Sequence, residues 1–330
     1  MKRREFISLL GGAAVAWPLA ALAQQSPTPI RRIGVLMETE EGNPERITEF
    51  ARFRDRLASL GWVEGHTVNF NYRYAAAHGD QFPTLAKELV TLQPDVVLAI
   101  STPAAAAMQR ESNTIPIVFL GTSDPIGSGF VSSLARPGGN LTGFQLYEDG
   151  IAGKWIGMLK QVAANLKRVA LVAGPKTTAY DYWVRAAEAA APSFEIEVIP
   201  TPVSNATDIE RSIDSFAQVP NGGLLLPSDG TTIVYRDLVV ALANRNRLPA
   251  VYAFRKFVIA GGLMSYSTDL ASEFERAATY VDRIMRGANP SDLPVQAPTK
   301  YETTINLKAA RTIDLAMPPS LLEAADEVIE

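Results

Sequence analysis

The chain has no cysteine and only two histidines, His66 and His78, among its 330 residues. Without thiols there is neither a disulfide framework nor a thiolate nucleophile. A zinc site needs several His, Cys or carboxylate ligands close together. Two histidines beside Gly65 and Gly79 do not supply that, and both read as surface-loop residues. No phosphate loop of the G-x-x-x-x-G-K-S/T type occurs, and Gly127-Ser128-Gly129 is too short for a dinucleotide fingerprint. Gly121-Thr122-Ser123-Asp124-Pro125 approaches a hydrolase G-x-S-x-G turn. Pro125 replaces the last Gly, however, and both histidines precede the Ser, whereas that fold needs one after it. There is no basic tract and the net charge is −4, which argues against nucleic acid and anionic membrane surfaces. These shortages lead us to expect no catalytic group, no metal and no cofactor.

What is present starts at the N-terminus. Lys2, Arg3 and Arg4 precede an apolar run from Phe6 to Leu22 that ends in Ala21-Leu22-Ala23. Gly11, Gly12 and Pro18 interrupt the run, and its end has the small-x-small pattern of a cleavage site. Residues 1–23 therefore read as an export signal, cleaved after about Ala23, rather than a membrane anchor. Arg3-Arg4 before Glu5-Phe6-Ile7 is similar to a twin-arginine signal. No Cys follows the cleavage pattern, so a lipid anchor of the usual bacterial kind is not expected.

Beyond the signal, short apolar runs alternate with helix-like segments. Arg32 to Glu38, Thr67 to Tyr74, Asp95 to Ser101 and Ile115 to Gly121 read as strands. Ile47, Phe50, Phe53, Leu57 and Leu60 recur at intervals of three and four, one face of a helix that Gly61 stops. The second half repeats the rhythm, with strands expected at 168–173, 195–200, 223–227, 249–254 and 262–267. Strands that are apolar throughout and alternate with helices predict an α/β fold with parallel sheets covered on both faces, here as two Rossmann-like lobes. Irregular stretches at Arg136 to Asn140 and Gly287 to Pro298 mark the seams.

In open parallel sheets, ligands bind beyond the carboxyl ends of the strands. Those ends carry Ser101-Thr102, Ser123-Asp124 and Ser228-Asp229. Helix-start hydroxyls and free backbone N–H groups suit a carboxylate, and an Asp in a desolvated cleft suits an ammonium group. Met37, Tyr147, Tyr252 and Phe254 are the candidate apolar walls. Each Ser-Asp pair also has a plainer reading as the cap of the next helix.

The segments Leu57 to His66, Asn71 to Ala75, Ile115 to Phe144 and Ala260 to Asp269 carry a family resemblance over nearly the whole mature chain. The chain resembles the tryptophan-binding-like branch of ABC-transporter substrate-binding proteins. The resemblance implies a type I periplasmic-binding fold with three hinge crossovers, placed near Tyr147, Phe257 and Leu293. Lobe 1 would combine 30–146 with 258–292, and lobe 2 would combine 147–257 with 293–330. It implies a periplasmic monomer that captures a small organic ligand, an amino acid or an aromatic or organic acid, between closing lobes. Its partners would be ABC permease membrane subunits. No obvious buried Arg stands at a strand end for a ligand carboxylate, other than Arg255. Two alternatives stay open: an exported α/β hydrolase or glycosidase working through carboxylates, and a periplasmic ligand-presenting sensor subunit.

Overall fold

In a computed structural model the chain is described over residues 30–76, 80–175 and 179–330. The export signal, its cleavage pattern and His78 lie outside the described residues. The first sheet takes its strands from the first half: β1 (Arg31–Met37), β2 (Val68–Tyr74), β3 (Val96–Ile100), β4 (Ile117–Thr122) and β5 (Leu141–Gln145). All are parallel, in the order β2-β1-β3-β4-β5. The helices between them are α1 (Pro44–Ser59), α2 (Phe82–Thr91) and α3 (Thr102–Glu111). Asn43 caps α1 by accepting from the Arg46 N–H, and Pro44 at the first position needs no donor partner. The helix buries Phe50, Phe53 and Leu57, three of the five residues of the face read from the sequence, against the sheet.

The second lobe runs through α4 (Ile151–Val162), β6 (Arg168–Ala173), α5 (Tyr180–Ala190), β7 (Glu197–Pro202) and α6 (Ala206–Ala217). It continues with β8 (Gly222–Leu226), the short α7 (Gly230–Val234), α8 (Arg236–Arg245), β9 (Ala250–Tyr252), α9 (Arg255–Ile259) and β10 (Met264–Thr268). After α10 (Leu270–Met285) come β11 (Tyr301–Asn306), α11 (Leu307–Thr312), α12 (Pro319–Glu323) and β12 (Glu327–Ile329). The second sheet has the order β12-β11-β10-β9-β8-β6-β7, with β11 antiparallel to β10. Among the described residues no helix is long and apolar enough to cross a membrane.

The chain crosses between the sheets three times, and two of the crossings differ from the expected places. β10 pairs with β9 and β11, so residues 264–268 belong to the second sheet rather than to lobe 1. The return occurs at Thr268-Asp269, not near Phe257, because α10 and not β10 is the element that covers the first sheet. α10 lies along α1 and over β3, β4 and β5. It delivers Phe274, Ala277, Ala278, Val281 and Ile284 to the core that holds Phe53 and Leu57. Trp62 Nε1 donates to Asp282 Oδ1 at 2.7 Å, tying the turn after α1 to α10. The last crossing also runs later than Leu293. Thr142 Oγ1 donates to Leu293 O at 2.5 Å, and Gln296 N donates to Gly143 O at 2.9 Å. The aperiodic stretch 287–298 is thus pinned to the edge of the first sheet before β11 enters the second.

Candidate functional site

The carboxyl ends of β3 and β4 in one sheet and of β8 in the other carry the predicted polar groups, and those of β1 and β9 carry the predicted apolar walls Met37 and Tyr252. Ser101 follows β3 with φ 96°, a left-handed conformation that costs a non-glycine residue about 1–3 kcal/mol. It caps α3 by accepting from the Ala104 N–H. In the first turn of α3, Pro103 carries no N–H, and the Ala104 and Ala105 N–H groups go to Ser101 Oγ and Ser101 O. Thr102 Oγ1 accepts from the Ser123 N–H at 3.3 Å, joining the β3 and β4 loops. Asp124 Oδ1 accepts from the Gly127 N–H at 2.7 Å, so this carboxylate closes its own turn. Between them Thr122 is buried, and its hydroxyl has no partner.

Asp229 is the most telling residue of the second lobe. It is 3 % exposed and caps α7, Oδ1 accepting from the Thr232 N–H at 3.0 Å. Its other oxygen, Oδ2, is buried and makes no hydrogen bond. Burial pushes this carboxyl above the ordinary aspartate range, only partly offset by the backbone N–H groups of Thr232, Gly174 and Thr231 around it. Ser228 beside it is half-buried. Tyr252 is fully buried and stacks on Phe257, with ring centroids 4.9 Å apart, and its hydroxyl also lacks a partner. Phe254 is half-buried under the Lys256 ammonium, which stands 5.0 Å from its ring centre.

Tyr147 takes a different place from the other expected walls. Its ring is enclosed by Trp155 and Trp183, and its hydroxyl donates to Ala253 O at 2.7 Å. It therefore acts as a post in the hinge region, where Thr268 Oγ1 also donates to Leu146 O. Met37 is buried at the end of β1 and lines a cavity of about 240 Å³ between α1 and β2.

Two groups near the cleft escaped the sequence reading. One is an ionic cluster where the β1–α1 loop meets the first turns of α1. Arg46 pairs with Glu38 and, at 2.6 Å, with Glu49, and stands over the Phe274 ring. Burial lifts Glu49 to about 7 although Arg46 pulls the other way. Lys256 of the second lobe is lowered by burial despite the fields of Glu45, Glu38 and Glu49, which places it opposite this cluster. The other is the row Phe70, Tyr72 and Tyr74 on β2; its alternation with Asn69, Asn71 and Arg73 is visible in the sequence and marks one sheet face. Arg255, the strand-end arginine singled out from the sequence, is committed to Glu327, with Nε donating at 2.5 Å. Among the described residues no group of three His, Cys, Asp or Glu side chains is arranged to hold a metal.

Similarities to known proteins agree with this geometry. A curated tyrosine-binding protein of Clostridioides difficile (strain R20291) is 23 % identical over 263 residues, covering 80 % of this chain and 75 % of the relative. The fold matches an ABC domain from Streptococcus pneumoniae solved in complex with L-Trp, with TM-score 0.83 and 24 % identity over 91 % of this chain and 100 % of that one. It also matches a conserved domain protein of Vibrio cholerae, with TM-score 0.82 and 24 % identity over 90 % and 99 % of the two chains. The family model for ABC transporter substrate binding protein matches residues 40–329. Two mostly parallel sheets joined by three crossings are thus the frame of a solute binder, and the chain belongs to the ABC transporter substrate-binding protein family.

Proposed function

We propose that this protein is the periplasmic receptor of an ABC importer, released by cleavage near Ala23, and that its ligand is a small zwitterion of the amino-acid type. The ligand carboxylate would rest on the N-terminus of α3 at Ser101 and Thr102, and its ammonium group on Asp229. The observation that carries this reading is the buried Asp229 carboxyl, whose Oδ2 makes no direct hydrogen bond of good geometry although the Gly174 and Thr231 N–H groups lie around the carboxyl. A charged acceptor in that position is costly unless a donor arrives, and a cationic ligand group is a fitting one. Thr122 and Tyr252, also buried and unpartnered, offer further hydrogen bonds within the same set of strand ends. The relatives named for tyrosine and L-Trp support the same class. The protein would act as a monomer whose closed form is presented to membrane permease subunits.

The test is thermal unfolding of the purified mature protein with each of the twenty amino acids at millimolar concentration. One chemical class should raise the midpoint, by an increment that follows RT ln(1 + [L]/Kd), with the ligand recovered unchanged. No shift with any of them would refute the zwitterion assignment.

A further inference from the structure

Lobe 1 carries more acid than it pairs at the start of α1. Arg46 is the lobe 1 cation set among Glu38, Glu45 and Glu49, and it bonds Glu38 and Glu49. With Glu49 ionised the three carboxylates exceed Arg46 by two charges, and with Glu49 protonated by one. Arg46 is held in place, its side chain 12 % exposed and its guanidinium 5.2 Å from the centre of the Phe274 ring. Glu38 Oε2 is buried and makes no hydrogen bond, and Glu45 is exposed in the first turn of the helix. Across the cleft, α9 of lobe 2 opens with two cations of different fate. Arg255 gives both its Nε and Nη2 to Glu327, at 2.5 and 2.6 Å. Among the described residues Lys256 has no such partner in its own lobe, where it rests on the Phe254 ring. The acids whose fields act on it most strongly, Glu45, Glu38 and Glu49, all belong to lobe 1.

We propose that Lys256 is the bolt of a latch between the lobes: reaching across the cleft, it neutralises the surplus acid of Glu38, Glu45 and Glu49 and favours closed lobes before any ligand arrives. Its charge has no other destination on its own lobe, because Glu327 is already taken by Arg255. Burial lowers the Lys256 ammonium, and the three acids facing it work against that loss. Opening the cleft returns the ammonium to water but takes away those acids, so the attraction is present only while the lobes face each other. A lone exposed ion pair contributes little, whereas one ammonium facing several half-buried carboxylates is a network, screened less than a surface pair. The long, flexible lysine stem suits a partner that approaches and retreats, as a rigid bidentate pair would not. Closure energy built into the protein need not come from the ligand, so part of the receptor's affinity should be set by ionic strength. The latch touches no ligand and stands whether or not the amino-acid reading above holds.

The chain has no cysteine, so Ala58→Cys with Asp237→Cys places one nitroxide label on each lobe and nowhere else. Both positions are exposed and lie outside the cluster. Pulsed dipolar spectroscopy on the ligand-free mature protein, stripped of bound solute by dialysis from urea, then reads the distance between the lobes. At low salt the labelled protein should show a short-distance population that falls about threefold or more in about 1 M sodium chloride, where the screening length is only about 3 Å. Lys256→Met should lose that population at low salt and respond little to further salt, while Lys256→Arg should keep it. Lys256→Glu should open the lobes, and Glu45→Lys added to it should restore about half of the closed population or more. A Lys256→Met distribution equal to that of the parent overturns the latch. So does a salt response that persists in Lys256→Met, or a parent distribution that does not change with salt. Unfolding midpoints within a few degrees of the parent establish that the variants are folded.

Discussion

Asp229→Asn separates the two roles of one carboxylate. In the folded protein Oδ1 caps α7 and Oδ2 is buried without a donor. Asparagine is as good a cap as aspartate, so the Thr232 bond survives the change. What disappears is a buried charge with an unsatisfied oxygen, a defect of about 1–3 kcal/mol. The free protein should therefore gain about 1 kcal/mol in urea unfolding at pH 7.5. Because burial raises this carboxyl, the folded state holds the proton more tightly than the unfolded one. Wild-type stability attributable to the group falls as pH rises from the unfolded carboxylate range through the folded value, so the gain in the variant should shrink in acid. Ligand affinity should move the opposite way, falling by about 1.5–3 kcal/mol, roughly tenfold to more than a hundredfold, through loss of a charge-assisted bond. Asp229→Ala should lose both properties, costing about 1 kcal/mol of stability through the missing cap. Unfolding curves and calorimetric titration on the same samples give both numbers. Unchanged affinity in Asp229→Asn would reduce the residue to a helix cap and refute the reasoning.

Three other outcomes are expected. Glu49, raised to about 7 by burial, binds a proton in the folded state between about pH 4.5 and 7 where the unfolded chain does not. Stability should fall across that window, and Glu49→Gln should remove at most about 3 kcal/mol of the slope; a wild-type-minus-variant difference that stays flat with pH in urea titrations would show Arg46 keeps the carboxylate ionised throughout. Tyr147→Phe leaves Ala253 O without its donor in the buried hinge and should cost about 1–2 kcal/mol, read by urea unfolding. Gly143→Ala should cost at least about 3 kcal/mol, since a Cβ there, at φ 151°, would stand 2.0 Å from Phe119 O in the neighbouring strand; wild-type-like thermal unfolding would contradict this.

Local pattern disclosed most of the elements and little of their partnership. The apolar runs at β1, β3, β4, β6 and β8 are strands because four or five consecutive side chains are buried in each. β5 was harder to see: Leu141-Thr142-Gly143-Phe144-Gln145 is buried throughout, but it mixes polar residues and glycine. Its Thr142 finds its partner only at Leu293, 151 residues away. β10 looked like any other buried strand, and its sheet is decided by β9 and β11, which no periodicity announces. At the site, Ser101 and Asp229 were legible because they follow apolar strands directly. The Arg46 cluster was not, because Glu38, Arg46 and Glu49 read as solvated charges until the fold buries them and sets Lys256 of the other lobe opposite. Thr122 and Tyr252 stand out only once burial shows hydroxyls without partners.

The late position of α10 has a consequence for the order in which the molecule is made. The first sheet is complete at Gln145, yet the helix that covers its core begins at Leu270. On a ribosome adding about 5–20 residues per second, the nascent first lobe would wait several seconds with Phe53, Phe144 and their neighbours uncovered. Throughout that interval it is a natural client for chaperones. A chain cut between Thr268 and Met285 would leave not a smaller receptor but two unfinished halves.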